Sequence, residues 1–208
     1  MEDVLELYQE PYDPDRPVIC MDESSKQLTA EVRKPIPTQP GKPQRVDFEY
    51  ERNGVASIFM FNEPLTGWRR VSVTERRTKQ DWAHEIKRLL EEDYPEAEVV
   101  RLVMDNLNTH TLGSLYETFE PDVARSLAER LEIHYTPKHG SWLNIAEIEL
   151  KALSVQCLNR RIESRELLTK EVAAWEQERN DSEVWVDWQF TTEDARTRLK
   201  RLYPKIQS

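Results

Sequence analysis

Two aspartates and a glutamate are the residues of this chain whose types and positions could do chemistry. Asp22 follows an apolar run at 18–21, and Asp105 follows a second, mainly apolar run at 99–104. Glu147 lies further along, on a segment with helical periodicity. Acidic side chains at the ends of buried strands add little to stability, but their oxygens are well suited to hold a divalent cation. The pattern therefore favours an enzyme.

Carboxylates that converge on one pocket indicate metal-dependent phosphoryl transfer. Three of them would repel one another and raise each other's pKa unless cations neutralise them. Oxygen ligands of this kind suit Mg²⁺ or Mn²⁺, which also bind the phosphate groups of a substrate. Two such ions, about 3.5–4 Å apart, can activate the attacking oxygen and stabilise the leaving one in a displacement at phosphorus.

The helix that carries Glu147 also carries Glu149, and the two side chains point about 200° apart at 100° per residue. Asn144, Glu147, Lys151 and Ser154 share one narrow polar stripe, whereas Glu149 lies among mainly apolar residues. Such a stripe is typical of an active-site wall, so we prefer Glu147 as the third acid. A solvent-facing strip would show the same pattern.

Alternatives remain for several of these residues. Asp105-Asn106 by itself is a turn signal. His110 and His139 could be ligands, although no histidine pair has zinc-site spacing. His139 could instead touch a phosphate or cap the following helix. Trp142, at the mouth of the predicted site, is a candidate for stacking on a base.

The order of elements predicts an α/β domain. Three antiparallel strands precede two strand–helix crossovers, which favours a mixed sheet with helices packed on it. Strands 17–22 and 98–104 should be parallel neighbours, because Asp22 and Asp105 then meet at one edge. The predicted elements are a short helix or tail over 1–16, strands at 17–22, about 45–61, 67–74, 98–104 and 131–135, an extended loop over 33–46, and helices at 78–93, near 112–130, at about 142–159, at 166–180 and after 191 or 192.

Length and composition narrow the class further. At 208 residues, with 38% hydrophobic and 33% charged residues, the chain fits one folded domain. It has no apolar stretch near membrane-spanning length and no secretion signal, and Cys20 and Cys157 suggest neither a metal site nor a disulfide, so we expect a reducing cytoplasm. The net charge of −10 argues mildly against nucleic acid as a partner. Lys and Arg residues nevertheless cluster at 69–79 and at 151–165, although the net charge of the chain is negative.

Four segments resemble the catalytic domain of bacterial insertion-sequence transposases related to the mariner superfamily. They are Met-Asp-Glu-Ser at 21–24, Val-Met-Asp-Asn-Leu-Asn-Thr-His at 103–110, the segment at 137–147 that ends in Asn-Ile-Ala-Glu, and Trp-Gln-Phe-Thr-Thr-Glu-Asp-Ala-Arg at 188–196. The resemblance runs from about 17 to 204. It departs from the family where Gly-Ser-Trp-Leu-Asn-Ile replaces the usual Ser-Pro-Asp-Leu-Asn-Pro before the glutamate.

The resemblance implies an RNase H-like fold over 17–204, with a mixed five-stranded sheet and helices on both faces. It also implies that Asp22, Asp105 and Glu147 are the catalytic, metal-binding triad. Forty-two positions separate Asp105 from Glu147, more than is usual in mariner relatives, so we expect an insertion within 112–130. Relatives carry an N-terminal helix-turn-helix module, and sixteen residues before the first strand are too few to hold one.

The implied function is transposition: cleavage of DNA at element ends, then attack of the freed 3′-hydroxyl on target DNA. The implied cofactor is Mg²⁺, with Mn²⁺ as substitute, bound as two ions; the implied partners are DNA and a second copy of the chain, with no membrane. Alternatives are another RNase H-like nuclease and a silent remnant that acts as an interaction domain. Candidate DNA contacts are Lys138, His139, Trp142, Asn144, Lys151 and Arg160.

Overall fold

Five strands form one mixed sheet at the centre of the domain. The computed structural model describes residues 1–33, 35–43, 45, 47–138 and 140–203. The strands are β1 (Val18–Glu31), β2 (Tyr50–Glu63), β3 (Trp68–Thr74), β4 (Val100–Met104) and β5 (Leu131–Tyr135). Their order across the sheet is β3-β2-β1-β4-β5, with β1–β2 and β2–β3 antiparallel and β1–β4 and β4–β5 parallel. The predicted mixed sheet and the predicted parallel neighbours are confirmed.

Strand β1 is longer than the strand predicted at 17–22. It pairs with β4 only from Val18 to Cys20 and then continues to Glu31 beside β2 alone. Helices cover the outer part of β1 less completely, and most of its residues after 22 are polar. The apolar run at 18–21 therefore does not mark the end of the strand. Asp22 therefore lies within β1, just beyond the end of the parallel ladder, and not at the end of the strand.

Seven helices complete the described part of the chain. The predicted cap at Thr78 is confirmed, because its side chain accepts from Asp81 N–H while Asp81 accepts from Thr78. The single helical stretch predicted near 112–130 is wrong in detail: it is two helices, separated where Pro121 starts a new first turn. The helices are α1 (Glu2–Leu7), α2 (Lys79–Arg88, extended by a π-helical turn over Leu89–Asp93), α3 (Leu112–Thr118), α4 (Pro121–Glu129), α5 (Ile145–Gln156), α6 (Arg165–Asp181) and α7 (Thr192–Arg198).

Apolar side chains of the sheet alternate between two hydrophobic cores. Val18 and Cys20 face one core, which α1, α5, α6 and α7 cover, whereas Ile19 and Met21 face the other, which α2, α3 and α4 cover. Each large side chain that is fully buried stabilises the fold by about 1.5–3 kcal/mol. The prediction of helices on both faces is confirmed.

The first residues of the chain belong to this packing. Val4 and Leu5 of α1 are fully buried, and the Tyr8 hydroxyl donates to the carbonyl of Leu143 at 2.8 Å. Among the described residues, no helix is long and apolar enough to cross a membrane.

Candidate active site

Sheet register brings the two aspartates together. Cys20 of β1 lies opposite Val103 of β4 in the parallel ladder. Asp22 comes two residues after Cys20, and Asp105 comes two residues after Val103. Neighbouring strands lie about 4.8 Å apart, so Asp22 and Asp105 end up side by side at one edge. Because side chains alternate along a strand, Asp22 points to the same face as Cys20, the face that α5 covers.

Asn144 attaches the start of α5 to this edge. Its side-chain oxygen accepts from Ala146 N–H and caps the helix, while its Nδ2 donates to the carbonyl of Met21 at 2.8 Å. Glu147, in the first turn, is thereby held near Asp22. Asn144 is 1% exposed and both ends of its amide are engaged. These contacts position α5, and the DNA contact predicted for Asn144 stays a prediction that its burial does not favour.

The loop before α5 is closed tightly at Gly140. Gly140 N–H donates to the carbonyl of Pro137 at 2.8 Å. A Cβ at this position would lie 2.6 Å from the Pro137 ring, so any side chain would force the loop to move. This close approach sets where the 3₁₀ turn Ser141–Leu143, and therefore α5, begins.

Two open clefts flank the acidic residues. One, of about 570 Å³, is lined by Asp22 and Glu147 together with Lys151 and Ser154. The other, of about 670 Å³, is lined by Asp105 with Lys138, Tyr135 and Ser141, among others. Three of the four residues of the predicted polar stripe on α5, Glu147, Lys151 and Ser154, therefore share a cleft with Asp22.

Negative charge accumulates at Asp22. Burial raises the pKa of its carboxyl from 3.8 to about 7, and although the Glu23 N–H opposes this shift, the charges of Asp105, Glu147 and Glu23 add to it. The acids are therefore near enough to repel one another. A divalent cation would relieve that repulsion, and an all-oxygen donor set suits Mg²⁺ or Mn²⁺.

The acids fit such an ion without forming a finished cage. Across the described ranges, no three histidine, cysteine or acidic side chains are gathered closely enough to hold a metal ion. Asp22 Oδ1 accepts from Glu23 N–H at 2.7 Å, and Asp105 Oδ1 contacts His110 Nδ1 at 2.7 Å. No hydrogen bond between described residues uses the second oxygen of either aspartate. Those oxygens and Glu147 are the groups that would hold an ion.

Glu149 has a different environment from Glu147, two residues away. It is 2% exposed and forms ion pairs with Arg69 at 3.1 Å and with Arg179 at 2.9 Å. These contacts join α5 to β3 and α6. Because both of its oxygens are engaged by arginines in the core, Glu149 cannot also serve a site in the cleft.

Glu23 and Arg77 make contacts beside the site that the sequence does not predict. The Glu23 side chain is 4% exposed; one oxygen contacts His110 Nε2 at 2.8 Å and the other lies 3.5 Å from Arg77 Nη1. Burial opposes a charge on the His110 ring, but its hydrogen bonds to Asp105 and Glu23 outweigh that effect and raise its pKa to about 9. The acidic pair Asp22-Glu23 is the sequence feature that could have drawn attention to Glu23.

The other predicted DNA contacts are not all at the site. Lys138 and Lys151 are exposed and line the two clefts. Trp142 is 38% exposed and stacks on Trp188 with ring centroids 6.4 Å apart. Arg160 forms an ion pair with Glu171 and lines a separate polar cleft between α5 and α6, so the structure does not bring it to the acids. His139 lies outside the described residues.

Comparison with known proteins identifies the class. A family model described as "DDE superfamily endonuclease" matches residues 17–169. The chain therefore belongs to the DDE superfamily endonuclease family. Comparison with curated proteins gave no significant match.

Solved structures of a mariner transposase share the fold. The crystal structure of the Mos1 mariner paired end complex with Mn has 19% sequence identity and a TM-score of 0.59, covering 88% of this chain and 54% of that one. The Mos1 transposase paired-end complex with left transposon end has 17% identity and a TM-score of 0.56, covering 88% and 56%. The predicted RNase H-like fold is confirmed, and the chain spans about half the length of these structures.

Proposed function

We propose that this chain is the catalytic domain of a metal-dependent DNA transposase that cleaves phosphodiesters at element ends and joins the freed 3′-hydroxyl to target DNA. The observation that carries the proposal is the meeting of Asp22, Asp105 and Glu147, from β1, the end of β4 and the first turn of α5, at one edge of the sheet. Membership of the DDE superfamily endonuclease family supports a nuclease or transposase activity.

In this proposal Asp22, Asp105 and Glu147 hold two Mg²⁺ ions, for which Mn²⁺ can substitute. When bound, the ions supply Lewis-acid stabilisation of the attacking and leaving oxygens at phosphorus. Asp22 and Asp105 would each offer the oxygen that is not used by Glu23 N–H or by His110. Glu147 would be the third ligand, because the hydrogen bond from Asn144 to the Met21 carbonyl keeps the first turn of α5 against β1.

The clefts on the two sides of the acids suit a DNA backbone. Lys151 in one cleft and Lys138 in the other would each contact a phosphate and hold the scissile bond over the carboxylates. Trp142 has an exposed part that could take a stacked base. Arg160 would have to leave Glu171 to reach DNA, so we omit it from the proposed interface.

Strand transfer joins two element ends to one target, so the proposed active form is a homodimer on DNA, placed in a bacterial cytoplasm at the nucleoid. The solved Mos1 structures are described as paired-end complexes, one with Mn and one with the left transposon end. A silent interaction domain is the second candidate, because the acids are not gathered into a finished metal site in the described residues.

DNA cleavage tests the proposal. Supercoiled plasmid incubated with the chain and Mn²⁺ should be nicked, Asp105→Ala should not nick it, and the exposed acid change Glu96→Ala should leave nicking unchanged. A labelled oligonucleotide with a free 3′-hydroxyl should become joined to the plasmid. Nicking without joining would favour another RNase H-like nuclease. Mn²⁺ binding without nicking, or no binding, would contradict the proposed activity of this chain and favour the silent domain.

A further inference from the structure

A buried imidazole connects the two strands that carry the aspartates. The His110 side chain is fully buried, with Nδ1 2.7 Å from Asp105 Oδ1 and Nε2 2.8 Å from Glu23 Oε2. We call the pair Glu23 and His110 the Glu23–His110 strut. It runs from β1 around the end of β4 to the side chain of Asp105.

The strut is fixed at several points. Glu23 follows Met21 by two residues and so points to the α2 side of the sheet, opposite to Asp22. On that side the His110 ring stacks on Trp82, with centroids 6.0 Å apart and an angle of 28°. The Tyr135 hydroxyl donates to the His110 carbonyl at 2.8 Å. The ring is therefore held by its neighbours and not only by the acids.

Asp105 needs such support more than Asp22 does. Asp22 lies within β1, where pairing with Met60 of β2 fixes its backbone. Asp105 comes just after β4 ends, and its side chain is 34% exposed. A carboxylate there can rotate unless one oxygen is held, and partners of this kind orient the ligands of metal sites.

We propose that Glu23 and His110 are positioning residues that hold one oxygen of Asp105 and leave the other directed to the metal ions; this rests on the proposed function. One rigid planar ring contacts a carboxylate oxygen through each of its two nitrogens and so joins Glu23 to Asp105. Both ring nitrogens are engaged and no part of the ring is exposed, so His110 is not itself a metal ligand. Glu23, with one oxygen on His110 and the other near Arg77, anchors the far end.

Three substitutions of His110 separate positioning from packing. His110→Asn places an amide nitrogen near the position of Nδ1 and keeps a donor for Asp105. His110→Gln places it near Nε2 and keeps the contact with Glu23 only. His110→Ala removes both. His134→Gln is a matched control, because His134 lies on the edge strand, contacts Asp3 at 2.8 Å, and makes no contact with Asp22 or Asp105 in the described residues.

Two readouts on the whole chain decide the matter. Titration calorimetry should show Mn²⁺ affinity lowered about 10–100-fold by His110→Gln and His110→Ala, less by His110→Asn, and not by His134→Gln. In the metal-free protein, the ¹³C carboxyl resonance of Asp105 should shift in His110→Gln and stay nearer the wild-type position in His110→Asn. A purely structural role predicts instead that affinity follows the melting temperature, whichever nitrogen is kept.

The outcomes also separate this inference from the proposed function. Wild-type Mn²⁺ binding with an Asp105 resonance that is unchanged in all three His110 variants would overturn the strut alone. A wild-type chain that binds no Mn²⁺ would overturn the proposed metal site, and the positioning role with it. Equal loss of affinity in His110→Asn and His110→Gln, tracking their stability, would also overturn the inference.

Discussion

Two of the charged clusters in the described part of the domain differ in how their charges are arranged: one pairs opposite charges, and the other gathers like charges. Between β3, α5 and α6, the carboxylate of Glu149 is paired with Arg69 and Arg179, and all three side chains are mostly buried. At the edge of β1 and β4, the acids around Asp22 face other acids, and burial together with their charges raises its pKa to about 7. Buried groups with strongly shifted pKa values cluster at functional sites, so the gathered acids are the candidate for function.

The same helix contributes to both clusters. Glu147 and Glu149 are two residues apart on α5 but face opposite sides, so one lines the cleft and the other lies in the core. The two residues have the same type and nearly the same position in the sequence. Their different roles follow from the face of α5 that each occupies.

The largest expected effect is on the cluster that pairs Glu149 with Arg69 and Arg179. Glu149→Ala leaves two buried guanidinium groups without their carboxylate, which should lower the free energy of unfolding by about 3–5 kcal/mol. Urea denaturation followed by circular dichroism measures it. Glu147→Ala is the matched change on the same helix and should stay within about 0.5 kcal/mol of wild type. Equal destabilisation by both would contradict the distinction between the clusters.

Removing a charge from the acid cluster around Asp22 should increase stability, whereas removing Glu149 should decrease it. Asp22 has a higher pKa in the folded chain, about 7, than the roughly 3.9 of an unfolded chain, so the folded state binds more protons between these values. Its contribution to stability therefore decreases as pH rises from about 4 to 7. Asp22→Asn removes that dependence and should stabilise the metal-free chain by about 0.5–2 kcal/mol at neutral pH.

Denaturation of wild type and Asp22→Asn at a series of pH values between 4 and 8 tests this prediction. The advantage of the variant should grow across the window and then level off. An advantage that stays constant with pH, or a variant less stable than wild type at pH 7, would show that burial and the neighbouring acids do not raise the pKa of Asp22.

The smallest effects concern the basic residues beside the acids. Lys138→Ala and Lys151→Ala should each weaken binding to DNA at low salt and reduce the slope of log affinity against log salt concentration by about 1. Fluorescence anisotropy with a labelled duplex measures both quantities. Lys170→Ala, an exposed lysine on α6 outside both clefts, should change neither. A loss of affinity in this control equal to that in the cleft variants would indicate that charge alone, and not position, governs DNA binding.

Much of the fold could be predicted from the sequence because local patterns specify it. The apolar runs before Asp22 and Asp105 predicted two parallel strands, and Thr78 predicted a helix start that the structure confirms. The extent of β1 could not be predicted, since its outer half is stabilised by pairing with β2 and its own residues are polar. The break before Pro121 was visible as a proline but was outweighed by the helical periodicity around it.

The details of the site depend on contacts between distant segments. The polar stripe on α5 correctly separated the surroundings of Glu147 and Glu149, but it could not show that Asn144 turns inward to Met21. Nor could it reveal the contact of Glu23 with His110, because 87 positions separate them. Sequence patterns select which face a residue occupies, and only the packed sheet determines its partners. The assignment of the three acids as metal ligands is itself still a prediction.

Calorimetric titration of Mn²⁺ is the measurement that tests this assignment most directly. Wild type should bind, Asp22→Ala and Asp105→Ala should lose binding, and Glu147→Ala should be weakened. Glu149→Gln, which keeps the shape of the side chain in the core, should bind as wild type wherever it remains folded. Failure of the wild-type chain to bind, or equal binding by wild type and all the acid variants, would contradict the account.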